Sequence, residues 1–185
     1  MNGIKRIAII SMLTAIAIVL GYAESLIPLS IPGVKLGLAN VIILIMIYEF
    51  KWYEALGVNV IRILIVSLIR GTFLSAPFFM SLSGGLLSFI VMLLFSKIKI
   101  FTSLGVSVLG SIFHVTGQIL VAIIIMGTNA IIYYLPFIAL LSLLTGILSG
   151  LITYNYLSRH ITEKFINKDL KIDEKEAMWY AFLYF

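Results

Sequence analysis

Long apolar runs separated by short polar stretches dominate the chain and predict its elements. Six runs are apolar enough to be helices in a membrane, at residues 7–23, 36–50, 55–70, 82–96, 103–126 and 135–157. A helix that crosses the hydrocarbon core of a bilayer needs about 20 residues. The second and third runs are shorter than this. Three explanations are left open: these helices are tilted, a very tight turn at "KWYE" joins them, or neighbouring helices partly shield them. The pattern predicts an all-α, polytopic bundle of about six transmembrane helices.

Composition excludes a soluble domain. Of the 185 residues, 62% are hydrophobic and 11% are charged, whereas soluble domains average about 45–50% and about 25%. The absence of cysteine excludes a disulfide framework, a thiolate nucleophile and a cysteine metal site. The two histidines, His114 and His160, fall in different regions. We therefore expect no metal and no cofactor.

Basic residues set the predicted topology. The first apolar run begins after a basic start and lacks a clear cleavage site before Glu24, so we interpret it as a retained helix. The excess of lysine and arginine marks cytoplasmic segments, and one set of basic residues shares one side of six spans: Lys5, Arg6, Lys51, Lys97, Lys99, Arg159 and Lys164. Both termini are predicted to be cytoplasmic. The net charge of +5 is spread singly, which argues against a nucleic-acid partner.

The chain is predicted to have two parts. Residues 1–158 form the transmembrane domain, and residues 159–185 form a cytoplasmic tail of mixed charge that ends in "MWYAFLYF". Tryptophan and tyrosine favour the membrane interface. A surface helix with an apolar end and an element that docks a partner remain as alternatives for the tail.

Polar side chains at membrane depth are the candidate site. Each costs roughly 2.5–3.5 kcal/mol on insertion scales and needs a reason. In the predicted topology, one set falls in the outer half of spans one, two, three and five: Glu24, Lys35, Asn40, Arg62, Arg70, His114 and Gln118. They predict a cavity open to the outside that binds an anionic or polar small molecule, since arginine pairs well with carboxylate or phosphate.

A purely structural network is the alternative to a cavity. Glu24 would form an internal ion pair with Arg62 or Arg70, while His114 and Gln118, one turn apart, would tie helices together. Glycine-rich segments at 81–88, 105–111 and 143–150 predict close helix packing.

The stretch "ESLIPLSIPGVKLGLANV" is predicted to be a bent outer connection. Pro28, Pro32 and Gly33 break the helix and allow a turn. Glu24 and Lys35 would stand at the rim of the cavity.

Motifs for catalysis are missing. No glycine-rich loop ends in Lys-Ser/Thr, so the chain is not expected to hydrolyse ATP. Asp169 and Asp173 are too isolated to act as the paired aspartates that hold magnesium against a diphosphate. We predict a protein that is not an enzyme. A membrane enzyme that uses His114 near Arg62 and Arg70 is the weakest alternative.

Three segments carry a family resemblance: "LGYAESLIPLSIPGVKLGLANVIILI", "IRGTFLSAPFFMSLSGGLLSFIVML" and "SVLGSIFHVTGQILVAIIIMGTNAIIYYLPF". Over roughly residues 4–157 the chain resembles the Gx transporter family, often labelled heptaprenyl diphosphate synthase component I. The string Pro-Gly-Val-Lys-Leu-Gly-Leu-Ala-Asn is its most specific part. Val115 departs from the asparagine expected after His114.

The resemblance has two implications. It groups the chain with the S components of energy-coupling factor transporters, six-helix proteins that capture a ligand outside the bacterial cytoplasmic membrane. In those, small residues on the first helix dock a transmembrane coupling protein, and separate ATPases supply energy; Ser11 and Ala15 correspond loosely to that face. The synthase label implies instead a non-catalytic membrane partner of a prenyl diphosphate synthase, acting in isoprenoid or quinone synthesis.

Overall fold

A bundle of α-helices accounts for nearly all of the described chain. The computed structural model describes residues 3–27, 35, 37–98 and 100–166, with side chains up to residue 159. The helices are α1 Gly3–Glu24, α2 Asn40–Glu49, α3 Trp52–Ile69, α4 Ala76–Phe95, α5 Ser103–Met126 and α6 Leu135–Ile166, with a 3-10 helix at Asn129–Tyr134 before α6. No strand occurs in these ranges. The prediction of an all-α, polytopic membrane bundle is confirmed.

Some predictions concern residues outside these ranges. The bent connection built on Pro28, Pro32 and Gly33 lies outside the described residues, as does the end of the tail from 167 to 185. Within the described part, α6 continues unbroken to Ile166, past the predicted end at 157 and past the predicted domain boundary at 158.

Helix α2 is too short to cross a membrane. Its 10 residues span about 15 Å, half of a hydrocarbon core of about 30 Å, whereas five other helical segments are long and apolar enough to cross. Every residue from Asn40 to Met46 is buried. A helix that is apolar on all sides is buried by protein, so α2 forms the core of the bundle. The predicted second span, 36–50, is therefore a half-length helix.

Local capping explains where the other helices begin and end. Helix α4 starts six residues before the predicted position 82, because Ser75 is its N-cap and proline occupies its first turn, where a missing N–H costs nothing. Helix α5 has the predicted bounds 103–126. Thr102 accepts a hydrogen bond from Gly105 at its start, and Gly127 ends it with a φ of 64°, a conformation that glycine adopts without strain.

Close packing of α4, α5 and α6 depends on glycine, as the glycine-rich segments predict. A Cβ built on Gly117 of α5 would lie 2.9 Å from the Cα of Gly84 in α4. On the other side of α5, a Cβ on Gly150 of α6 would lie 2.7 Å from the Cα of Leu104. The backbones touch at these points because no side chain separates them.

An ion pair fixes α1 beside α3 at one end of the bundle. Arg6 donates to both carboxylate oxygens of Glu54, at 2.9 and 2.6 Å, and Glu54 also accepts from the Lys51 N–H at the start of α3. Both helices therefore start at the same end of the bundle. Following the predicted topology, we call this the inner end of the bundle and the opposite one the outer end.

Candidate ligand cavity

A small polar cavity lies between α1, α3, α4 and α5. Among the described residues its polar lining consists of Glu24, Lys35, Arg62, Ser81 and His114. Its volume is about 20 Å³, which is room for about one water molecule. In this structure the cavity is therefore too small to hold a metabolite.

Non-helical backbone reaches this cavity at mid-bundle depth. Gly37 has a φ of +91°, and a Cβ built on it would lie 3.4 Å from the His114 ring. His114 is near the middle of α5, about 17 Å from its first residue at a rise of 1.5 Å per residue. Irregular backbone at such depth is tolerated only where protein shields it or where it lines a cavity. Lys35 thus lines the cavity, deeper than the rim at which the sequence places it.

Arg62 is the buried cation of the site, with 5% of its surface exposed. Its Nε and Nη2 donate to Asn59 Oδ1 at 3.0 and 2.8 Å, and Nη2 also donates to Asn40 Oδ1 at 2.9 Å. A guanidinium has five N–H donors. Three are used here, and the two on Nη1 have no partner among the described residues.

The two asparagines are themselves held by α4. Asn59 Nδ2 donates to the carbonyl of Gly85 at 3.0 Å, and Asn40 Nδ2 donates to Ser88 Oγ at 3.1 Å. Asn40, predicted to contact the ligand, therefore positions Arg62 by accepting a hydrogen bond from its guanidinium. Sequence reasoning missed Asn59 and Ser88, although Asn59 lies three residues before Arg62 and so shares its helix face.

Glu24 does not form the predicted internal ion pair. Its carboxylate accepts a hydrogen bond from the Gly37 N–H, just before α2 begins, and 4% of its surface is exposed. No ion pair joins Glu24 to Arg62 or to Arg70, all of which are described residues. Arg62 is thus held by neutral amide oxygens, and Glu24 is a separate acidic group in the same cavity.

His114 and Gln118 form a fixed pair on α5. The Lys35 N–H donates to Gln118 Oε1 at 2.8 Å, so the Gln118 amide nitrogen, 2.7 Å from His114 Nε2, is the donor to that ring atom. The neutral ring then carries its proton on Nδ1. Nδ1 is buried, and no contact with a described residue meets strict hydrogen-bond geometry at this atom, although the backbone of Gly84 is close enough to interact with the ring.

Lys35 has an altered titration. Burial lowers the pKa of its ammonium group from 10.5 to about 8, with Glu24 opposing this shift and the positive charges of Arg62 and Arg70 adding to it. Most of the Lys35 population is therefore protonated at neutral pH, and the charge is lost at a lower pH than in an ordinary lysine.

The remaining predicted residues lie elsewhere. Arg70 is exposed at the outer end of α3, near enough to influence Lys35, and is not part of the lining. Ser11 and Ala15 are exposed on α1. Ser81 lines the cavity and was missed; it lies seven residues before Ser88 and so on the same face of α4. No group of three histidine, aspartate or glutamate side chains that could hold a metal occurs in the described part of the chain.

Fold and cavity together define a polytopic helical membrane protein with a small cavity, lined in part by charged side chains, between its helices. A family model described as "Heptaprenyl diphosphate synthase component I" matches residues 13–156. The chain belongs to this family, which agrees with the resemblance carried by its three sequence segments. Searches among curated proteins and among solved structures found no match.

Proposed function

We propose that the protein is a substrate-binding and transport protein, similar to an energy-coupling factor S component, that takes up a small anionic or amphipathic metabolite. The observation that carries this proposal is the buried guanidinium of Arg62, which is paired with amides and has two N–H donors without a partner among the described residues. A buried cation held without a carboxylate partner is costly, and an anionic ligand would offset that cost.

The charge of the lining supports the same class of ligand. Lys35 and Arg62 are positive, His114 is neutral, and Glu24 is the one acidic group in the described lining. The cavity is therefore positive whether Glu24 is ionised or protonated. Gly21, Ile63 and Val66 complete the lining, so a ligand with an apolar part beside its charged group would fit it.

Binding requires the cavity to enlarge, since about 20 Å³ excludes any metabolite. Movement of Lys35 and Gly37 would enlarge it, because their backbone N–H groups donate to Gln118 and Glu24 beside the cavity. An entrance on the outer side is consistent with capture from outside.

Co-purified small molecules offer the direct test. The protein would be purified in lipid nanodiscs and extracted for mass spectrometry, and each candidate would then be added back while thermal unfolding is followed. We expect an anionic metabolite that is recovered reproducibly and stabilises the protein. Uptake of that metabolite would then be measured in cells that express the chain. The proposal fails if no anion is recovered and none from a broad panel stabilises the protein.

Anion binding is expected to weaken as pH rises through about 8. Lys35 is charged below its pKa of about 8 and neutral above it, so the attraction for an anion is complete below this pH and declines above it, by up to tenfold per pH unit. Equilibrium titrations between pH 6.5 and 9.5 would measure the effect. Lys35→Arg, which stays charged, is the control and should abolish the pH dependence; a wild-type affinity that is flat over this range would contradict the assigned role of Lys35.

We further propose that the exposed small residues Ser11 and Ala15 contact a transmembrane coupling protein, with separate ATPases supplying energy in the cytoplasmic membrane of a bacterium. Substituting both with leucine should reduce uptake while leaving ligand affinity in nanodiscs unchanged. Leucine at Ile7 and Val19, which are 66% and 65% exposed on α1, is the control for a lipid-facing change. Equal effects of the two pairs would count against a specific contact.

The family description favours a second candidate, a non-catalytic membrane subunit of a heptaprenyl diphosphate synthase. In this case membranes that contain the chain would retain a soluble prenyl synthase, and removal of residues 167–185 would release it if the tail is the dock. Unchanged activity and location of the synthase in cells that lack the chain would argue against this candidate.

A further inference from the structure

Two buried amides hold Arg62, although buried charges in proteins are usually paired with an opposite charge. Nη2 donates to Asn40 Oδ1 and to Asn59 Oδ1, and Nε donates to Asn59 Oδ1. A guanidinium has donors and no acceptor, so each amide must turn its oxygen towards Arg62. Its nitrogen then points to a second partner. That second partner indicates whether helix packing needs an amide at the position or would also accept a carboxylate.

At position 59, helix packing needs an amide. Asn59 Nδ2 donates to the backbone carbonyl of Gly85 in α4 at 3.0 Å, and a carbonyl can only accept. A side chain that joins Arg62 to this carbonyl must therefore carry both an acceptor and a donor. An ionised aspartate would place two acceptors against each other. The neutrality of Asn59 thus follows from its contact with α4.

At position 40, helix packing does not need an amide. Asn40 Nδ2 donates to Ser88 Oγ at 3.1 Å, and a hydroxyl can donate as well as accept. An aspartate would keep both contacts, with one oxygen accepting from Arg62 and the other from Ser88. Its charge would also be favoured there, because Asn40 is the first residue of α2, next to the positive end of the helix dipole. The consequence of the amide is that Arg62 is oriented but not neutralised.

We infer that Asn40 is a positioning residue that orients the guanidinium of Arg62 without neutralising it, and that its neutral amide thereby sets the preference of the cavity for anions. The inference rests on the proposed function. Asn40 acts through Arg62, since it is not part of the described cavity lining. An aspartate in its place would pair with Arg62 inside the protein, and an anionic ligand would then have to compete with a fixed carboxylate. Lys35 would still line the cavity, so the preference should fall rather than reverse.

Two probes of equal length test the inference. Hexanoate and the uncharged hexanamide are titrated at pH 7 into the nanodisc-embedded protein, and the readout is the ratio of their affinities. We expect Asn40→Asp to lower the preference for hexanoate by roughly tenfold or more, which corresponds to the loss of one charge-assisted contact. Asn129→Asp makes the same change at an exposed position outside the lining and should stay within threefold of the wild type. A merely structural role of Asn40 would weaken both probes together and leave their ratio unchanged.

The outcomes separate the inference from the proposed function. If the wild type does not prefer hexanoate, the proposed anion site is wrong and the inference falls with it. If the wild type prefers hexanoate and Asn40→Asp keeps that preference within threefold, the inference alone is overturned.

Ser88→Ala provides the second test should Asn40→Asp fail to fold. It removes the acceptor that fixes the Asn40 amide and leaves Arg62 and the lining unchanged. We expect the preference for hexanoate to fall by about threefold or more, the effect of one neutral hydrogen bond. Ser142→Ala, which removes an equally buried serine hydroxyl in α6, is the control and should not change the ratio. An unchanged ratio in Ser88→Ala would overturn the inference.

Discussion

Replacing Arg62 with glutamine is expected to weaken anion binding by roughly 100-fold or more. A charge-assisted hydrogen bond contributes about 1.5–3 kcal/mol, a factor of ten corresponds to about 1.4 kcal/mol, and the variant also loses the buried positive charge. Glutamine retains an amide that can donate to Asn40 or Asn59, so the helices should remain associated. Affinity in nanodiscs and thermal unfolding of the same samples would separate the two effects.

Arg70→Gln is the matched control for this experiment. It makes the same chemical change eight residues later on α3, at an exposed position outside the lining. We expect its affinity to stay within threefold of the wild type. If Arg62→Gln also stays within threefold, or if the two variants lose affinity equally, Arg62 is not the anion-binding group.

Gly84→Ala is expected to be strongly destabilising. The new Cβ would lie 2.5 Å from the carbonyl oxygen of His114 and 2.7 Å from Gln118 Cγ. A backbone oxygen cannot move aside unless α5 moves with it, so α4 and α5 must separate. Overpacking of this kind costs about 1–3 kcal/mol and occasionally more; we expect the upper end, together with loss of binding because His114 and Gln118 are displaced. Reversible unfolding in mixed micelles would measure it.

Gly57→Ala is the control for the backbone effect of glycine. Gly57 lies within α3, and a Cβ there would meet no atom within 4 Å. Alanine in a helix interior is favoured over glycine by roughly 0.5–1 kcal/mol, so this variant should be slightly more stable than the wild type. Equal destabilisation by both substitutions would show that helix contact at Gly84 is not the cause.

Spacing along the chain predicts how deep a side chain lies in the bundle better than it predicts which residue that side chain contacts. The position of Arg62 in the middle of α3 follows from counting residues along an apolar run. Its hydrogen bonds do not follow, because they depend on how α2 and α3 are rotated against each other. The sequence offers Glu24 as the natural partner, and the structure instead supplies Asn59 from the same helix face and Asn40 from α2.

Helix rotation and helix ends also decide which arginine lines the cavity. Arg62 and Arg70 are about 80° apart around an ideal helix, which is compatible with a shared lining. However, α3 ends at Ile69, so Arg70 caps the helix in an exposed position. No pattern within α3 distinguishes the two, since burial is set by α1, α2 and α4 packing against one side of it.

The sequence by itself determined the membrane class, the helical architecture and the bounds of α5. These features follow from local composition, because apolar length and ionisable residues interact with the bilayer one segment at a time. The tertiary structure decided that α2 is a half-length buried helix and that Lys35 and Gly37 lie against Gln118 and His114 of α5. These depend on contacts between residues distant in sequence, such as Lys35 with Gln118, and only the packed helices bring those residues together.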